Sequence, residues 1–150
     1  ADRVVTREAN VQTFYYTNMT AQIGKGMNQN IWQKLETAVR GWSSNIDTLY
    51  VVTGAMPTTP ENTTISYTQD NNGKQIAVPK YYFKALCRIN RATGEAYTIA
   101  FKLENKAYAN NEPYMNHALS VAELERMTGF VFFPMIREQD KQTYDKNKWN

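Results

Sequence analysis

Cysteine and histidine are almost missing from this chain: Cys87 and His117 are the sole examples in 150 residues. A lone cysteine closes no internal disulfide, and one cysteine with one histidine cannot furnish a structural zinc site. Any metal must therefore be a hard cation held by oxygen. Cys87 falls in an alternating apolar stretch, where a buried, inert thiol is expected. Long apolar runs are missing too. None approaches the ~20 residues of a membrane-spanning helix, and mean hydropathy is −0.61. The opening ADRVVTREAN has no apolar core of a targeting peptide. Charge of one sign is scarce: 17 basic residues face 14 acidic ones, for a net +3. That tilt falls short of a histone-like binder; it permits a phosphate-bearing partner without demanding one.

What is present suits a folded globule, with 42% hydrophobic and 13% aromatic residues. The length fits one domain over residues 1–150, with no internal repeat or linker. Phe14-Tyr15-Tyr16 reads as a short strand in a polar opening, and IGKGMNQN as a loop. A helix is expected from about Asn28, its candidate N-cap, to Ser43-Ser44-Asn45. Ile31, Leu35, Ala38, Val39 and Trp42 recur on one face of it. LYVVTGA predicts a buried strand closed by Gly54 and Pro57. Asn71-Asn72-Gly73 predicts a hairpin turn, and Pro79 a break or edge position. IAVPKYYFKALCRI and EAYTIAFKLEN, joined by Arg91-Ala92-Thr93-Gly94, read as a long antiparallel hairpin. Residues 105–118 read as a polar loop. Ser120 and Glu123 form a capping box opening a short helix that Gly129 closes. Phe130, Val131, Phe132 and Phe133 are expected to dock an apolar end, and the tail from Arg137 to Asn150 to finish in solvent. The class is α+β.

The stretch Tyr16 to Glu36, YTNMTAQIGKGMNQNIWQKLE, concentrates groups suited to phosphate chemistry. A helix start offers unpaired N–H groups and a positive dipole end. Asn28 adds a carbonyl oxygen there, Glu36 lies eight residues on, and Arg40 stands at i+4 from Glu36. On the residues alone, the plainer reading is preferred: Asn28 caps the helix, and Glu36–Arg40 is a solvated pair.

The same stretch resembles the DNA/RNA non-specific endonucleases, the ββα-metal group typified by the Serratia nuclease. Their pattern runs aromatic-x-[ST]-N-[IM]-x-x-Q, a short loop, then N-Q-x-x-W-x-x-L-E. It is met here by Tyr16, Thr17, Asn18, Met19, Gln22, Asn28, Gln29, Trp32, Leu35 and Glu36. The loop between Gln22 and Asn28 is one residue longer. Tyr50 to Gly54, Val78 to Lys84 and Val121 to Phe133 resemble later, mostly structural signatures of the family. The resemblance implies an antiparallel sheet carrying the ββα-metal helix, with the N-terminal strands missing. It implies a single divalent metal, usually Mg²⁺, on Asn28, with Glu36 orienting metal-bound water and Arg40 approaching the substrate phosphate. Asn18 and Gln22 match polar residues lining the site. The implied reaction is phosphodiester hydrolysis of DNA and RNA, read through phosphate and sugar rather than base edges.

One part of the family pattern is not found. The general-base histidine belongs to a D-R-G-H motif expected upstream of Ala1, and Asp2-Arg3-Val4-Val5 lies on the wrong side of that motif. His117 is expected to be structural or at the surface. These residues alone are therefore expected to hydrolyse little. The expected partners are nucleic acid, the protein's own N-terminal segment or a second copy, and no membrane. Family members are commonly exported, which implies a secreted or periplasmic location. The competing reading is a non-catalytic descendant that binds nucleic acid or a protein; retention of Asn28, Glu36 and Arg40 argues against it.

Overall fold

Residues 81–90 and 96–104, mostly apolar and buried through their centres, build the spine of the fold. In the computed structural model, which describes residues 6–13, 15, 19–43 and 47–149, these become β4 (Tyr81–Asn90) and β5 (Ala96–Glu104). They pair antiparallel from Tyr81↔Glu104 to Ile89↔Ala96. Before them, β1 (Asp47–Met56) lies on the outer side of β4, and β6 (Ala118–Leu119) closes the far edge, giving the order β1-β4-β5-β6. A separate hairpin, β2 (Ser66–Gln69) with β3 (Gln75–Val78), turns through Gly73 at φ 76°. Pro79 falls between β3 and β4, where the missing N–H breaks no ladder.

Parity sends the two faces of the sheet to different helices. One face, with Tyr82, Leu86, Ile99, Phe101 and Leu103, packs under Met27, Ile31, Trp32, Leu35 and Trp42, from the turn at Gly24–Trp32 and the helix α2 (Gln33–Trp42). The other, with Phe83, Ala85 and Ala100, packs on Val121 and Leu124 of α3 (Val121–Thr128) and on Phe132. The capping box on α3 is complete: Glu123 N donates to Ser120 Oγ (3.2 Å) and Ser120 N to Glu123 Oε2 (2.9 Å). Gly129 closes it at φ 72°. The mixed helix and antiparallel-sheet class therefore holds.

Several expectations are corrected. Residues 7–13 are a helix, α1 (Arg7–Thr13), in the opening read only as polar. Of the strand expected at 14–16, Tyr15 alone is described, as an exposed bend. The site helix ends at Trp42 with Ser43 as its C-cap, as expected, while Ser44 and Asn45 lie outside the described residues. LYVVTGA is a strand, but it lies at the sheet edge rather than buried, with Tyr50, Val51 and Val52 exposed. An unbroken apolar run cannot by itself distinguish a central strand from an edge. The apolar end is only half docked: Phe132 is buried while Phe130 and Val131 are exposed. The polar tail does not finish in solvent. Trp149 is 1% exposed and joins the α2-side core, and Lys141 is fully buried against Glu125 (3.1 Å) and Glu138 (2.9 Å). Charge density along the tail hid one anchoring ring and one buried lysine paired with two carboxylates.

Candidate active site

The turn before α2 is held from below. Its winding is wide, with Asn28 N donating to Ile23 O five residues back (3.0 Å), and it breaks at Lys25 and Gly26. Gly26 has φ 80°, and a Cβ there would stand 2.7 Å from Ala107 Cβ. Only glycine satisfies both demands. Around it, Tyr108 N donates to Gly26 O (2.9 Å), and Asn30 Nδ2 donates to Tyr108 O (3.0 Å) and Ala109 O (3.2 Å). Asn105 fastens the preceding segment: it accepts from Ile23 N (2.9 Å) and donates to Ala21 O (2.9 Å) and Pro79 O (3.0 Å). Lys34 reaches Asn110 O from the first turn of α2. Loop 105–110, expected to be merely polar, is a cradle for this turn.

With Asn30 turned inward, Asn28 is left exposed. It is not the N-cap; that position is Ile23, which makes no side-chain cap bond. Glu36 follows two turns along, about 12 Å by helical rise. Helical side chains lean toward the N-terminus, so Glu36 leans toward Asn28. Its side chain is 41% exposed. Arg40, exposed in the last turn, donates to Thr37 Oγ1 (2.9 Å). Among the described residues, the ion pair of Glu36 is with Lys84 at 3.8 Å, rather than the expected one with Arg40.

Lys84 went unrecognised in the sequence. It projects from β4 into the layer beneath α2, its side chain 7% exposed. Its ammonium donates to Thr53 Oγ1 of β1 (2.9 Å) and lies 4.5 Å from the Trp32 ring centroid. Burial holds its pKa below the ordinary lysine range; the Glu36 carboxylate opposes that shift and the Arg40 guanidinium adds to it. The available signal was one lysine interrupting the inward positions of an apolar strand.

The remaining candidates divide. Gln22 is half-buried, its amide nitrogen enclosed and without a hydrogen-bond partner among the described residues. Asn18 lies outside the described residues, as do Tyr16 and Thr17. His117 is engaged by Glu112 (3.1 Å) and packs edge-on against Tyr108. Among the described residues no three His, Cys, Asp or Glu side chains gather, so no carboxylate cage is present there. The exposed Asn28 offers an oxygen donor of the kind that fits a hard ion retaining most of its water.

A small antiparallel sheet with helices on both faces defines the class of fold. It is shared with a chain in a crystal structure of an EndoG/EndoGI complex concerned with EndoG inhibition: TM-score 0.69, 24% identity, covering 88% of this chain and 54% of that one. The chain belongs to the DNA/RNA non-specific endonuclease family, whose model matches residues 1–139. It is 32% identical over 137 residues to Nuclease C1 of Cunninghamella echinulata var. echinulata, covering 90% of this chain and 54% of the relative. It is also 32% identical over 148 residues to the mitochondrial Nuclease 1 of Schizosaccharomyces pombe, covering 95% and 46%. The chain thus spans about half the length of these curated relatives. The exported location expected from the family is overturned by the relatives, several of which are mitochondrial nucleases by name. No described helix is long and apolar enough to cross a membrane.

Proposed function

We propose that this chain forms the metal-binding part of an endonuclease that hydrolyses phosphodiester bonds of DNA and RNA without sequence specificity. The carrying observation is the exposed Asn28, set on a turn fixed by Gly26, Asn30 and loop 105–110, with Glu36 and Arg40 following on one helix. Asn28 is the protein ligand for a divalent cation, Mg²⁺ being the natural choice for an oxygen donor that leaves the water shell largely intact. When bound, the ion supplies charge stabilisation at the phosphate and the leaving oxygen. Glu36 orients water beside Asn28, and Arg40 draws in the substrate phosphate with a planar, permanently charged fork. Asn18 and Gln22 line the approach. Contacts of this kind reach phosphate and sugar, which suits both nucleic acids.

The family's general base is a histidine in a D-R-G-H motif, which residues 1–150 do not contain, and His117 is already committed to Glu112. Residues 1–150 alone therefore turn over little substrate. Full-length protein with Mg²⁺ is expected to nick plasmid DNA and degrade RNA. Asn28→Ala should cost at least about 100-fold, the upper end of what outer-sphere partners contribute. Undiminished cleavage by that variant at low Mg²⁺ would sink the ligand assignment.

A further inference from the structure

Lys84 is a buried cation that the proposed reaction does not use. Taking an ammonium out of water is costly unless its donors are met. Three groups meet this one, each from a different place: Thr53 Oγ1 on β1 at 2.9 Å, the face of Trp32 in the turn before α2, with its centroid at 4.5 Å, and Glu36 Oε1 on α2 at 3.8 Å. An ammonium has three donors, so one for each partner is geometrically natural. The contacts are unequal. The hydroxyl is within hydrogen-bond distance, whereas the carboxylate stands beyond it, though inside ion-pair range. Lys84 thus holds the charge of Glu36 without taking up its lone pairs, and the exposed side of that carboxylate stays open to solvent. Register explains the placement. Thr53 and Lys84 are directly opposed across β1 and β4, and Lys84 opposes Phe101 of β5 on its other flank. Trp32 and Glu36, four residues apart, form the notch on the helix that the lysine enters.

We propose that Lys84 is a positioning residue: anchored by Thr53 and Trp32, it fixes the Glu36 carboxylate in the orientation from which it serves the Asn28 site. This rests on the reading of Glu36 given above. A lysine that only filled the sheet–helix layer would be replaceable by methionine of similar length. One acting through Glu36 would not.

The test uses the full-length protein with Mg²⁺ and plasmid DNA, and compares Lys84→Met, Glu36→Gln and the double variant. Lys84→Met is expected to lower kcat about 10- to 100-fold, the range seen when an outer-sphere partner is removed. KM should hardly move. Metal-free binding of a labelled duplex, read by anisotropy, should stay within about twofold, because a buried ammonium makes no phosphate contact. In the Glu36→Gln background, Lys84→Met should cost less than about threefold, the non-additivity of two groups acting as one. Lys84→Arg, which keeps the charge, should restore part of kcat. An equal loss in both backgrounds, or no loss in the parent, overturns the proposal. Should Glu36→Gln itself retain full activity, the reading of Glu36 fails, and Lys84 with it. If Glu36→Gln is inactive while Lys84→Met is active, Lys84 alone fails. Thr53→Val covers a folding defect at Lys84: it removes the anchoring hydroxyl from an exposed edge position. It should lower kcat in the parent but not in the Glu36→Gln background, and an unchanged kcat in the parent again overturns the proposal.

Discussion

Lys84 and Cys87 stand three positions apart on β4, and the pleat sends them to opposite faces. Burial acts on both, and in both it favours the neutral form. The Cys87 thiol is pushed up to about 11 by burial, with Lys141 pulling weakly the other way. Its thiolate fraction at pH 8 is then about one in a thousand, too little for nucleophilic chemistry. A chromogenic disulfide reagent at pH 8 is expected to leave the folded protein unlabelled and to react at once in guanidinium; rapid labelling of the native state would contradict this. Because the folded-state pKa lies above the ordinary thiol value, this group's contribution to stability is steady below about pH 9 and falls as pH rises through about 11. Cys87 was readable from alternation alone. Lys84 was not, because its meaning depends on three residues from three other elements, and no local pattern encodes a contact between layers.

At the scale of elements, signals confined to a few neighbouring residues were the legible ones. The box at Ser120 and Glu123, the stop at Gly129, the turn at Gly73, the break at Pro79 and the β4–β5 hairpin all follow from spacings of four residues or fewer. Ser120→Ala should remove one arm of the box and cost about 1 kcal/mol. For a chain of this size that lowers the melting temperature by about 2–4 °C, measurable by circular dichroism; an unchanged melt would mean that α3 is held by packing alone. The start of the site helix was misjudged for the opposite reason. Asn28 has the composition of a cap, yet Gly26 breaks the winding just before it, and loop 105–110, some eighty residues away, holds the turn through the Gly26 carbonyl and the Asn30 side chain. Choosing between Asn28 and Asn30 as the outward residue required knowing where that loop passes. The family pattern pointed to Asn28; spacing alone did not.

For the molecule as a whole, β1 is the exposed flank. Ten residues long, it pairs with β4 on one side, and among the described residues nothing pairs with its other side. Tyr50, Val51 and Val52 lie open along it. Such an edge is a template for another strand. Residues 1–150 prepared alone are expected to self-associate with rising concentration in sedimentation, and Val52→Lys should weaken that association; a monomer at every concentration would argue that the edge is protected. The burial of the tail has a different kind of consequence. The chain has three tryptophans, and Trp32, Trp42 and Trp149 all lie in the core between α2 and the sheet, the last two with ring centroids 5.2 Å apart. The opposite core, beneath α3, holds Phe83 and Phe132 but no indole. Intrinsic fluorescence of this protein is therefore a one-sided gauge: it reports the layer that carries Asn28 and Glu36 and is nearly blind to the other. A melt followed by emission and one followed by backbone ellipticity would coincide only if both layers come apart together.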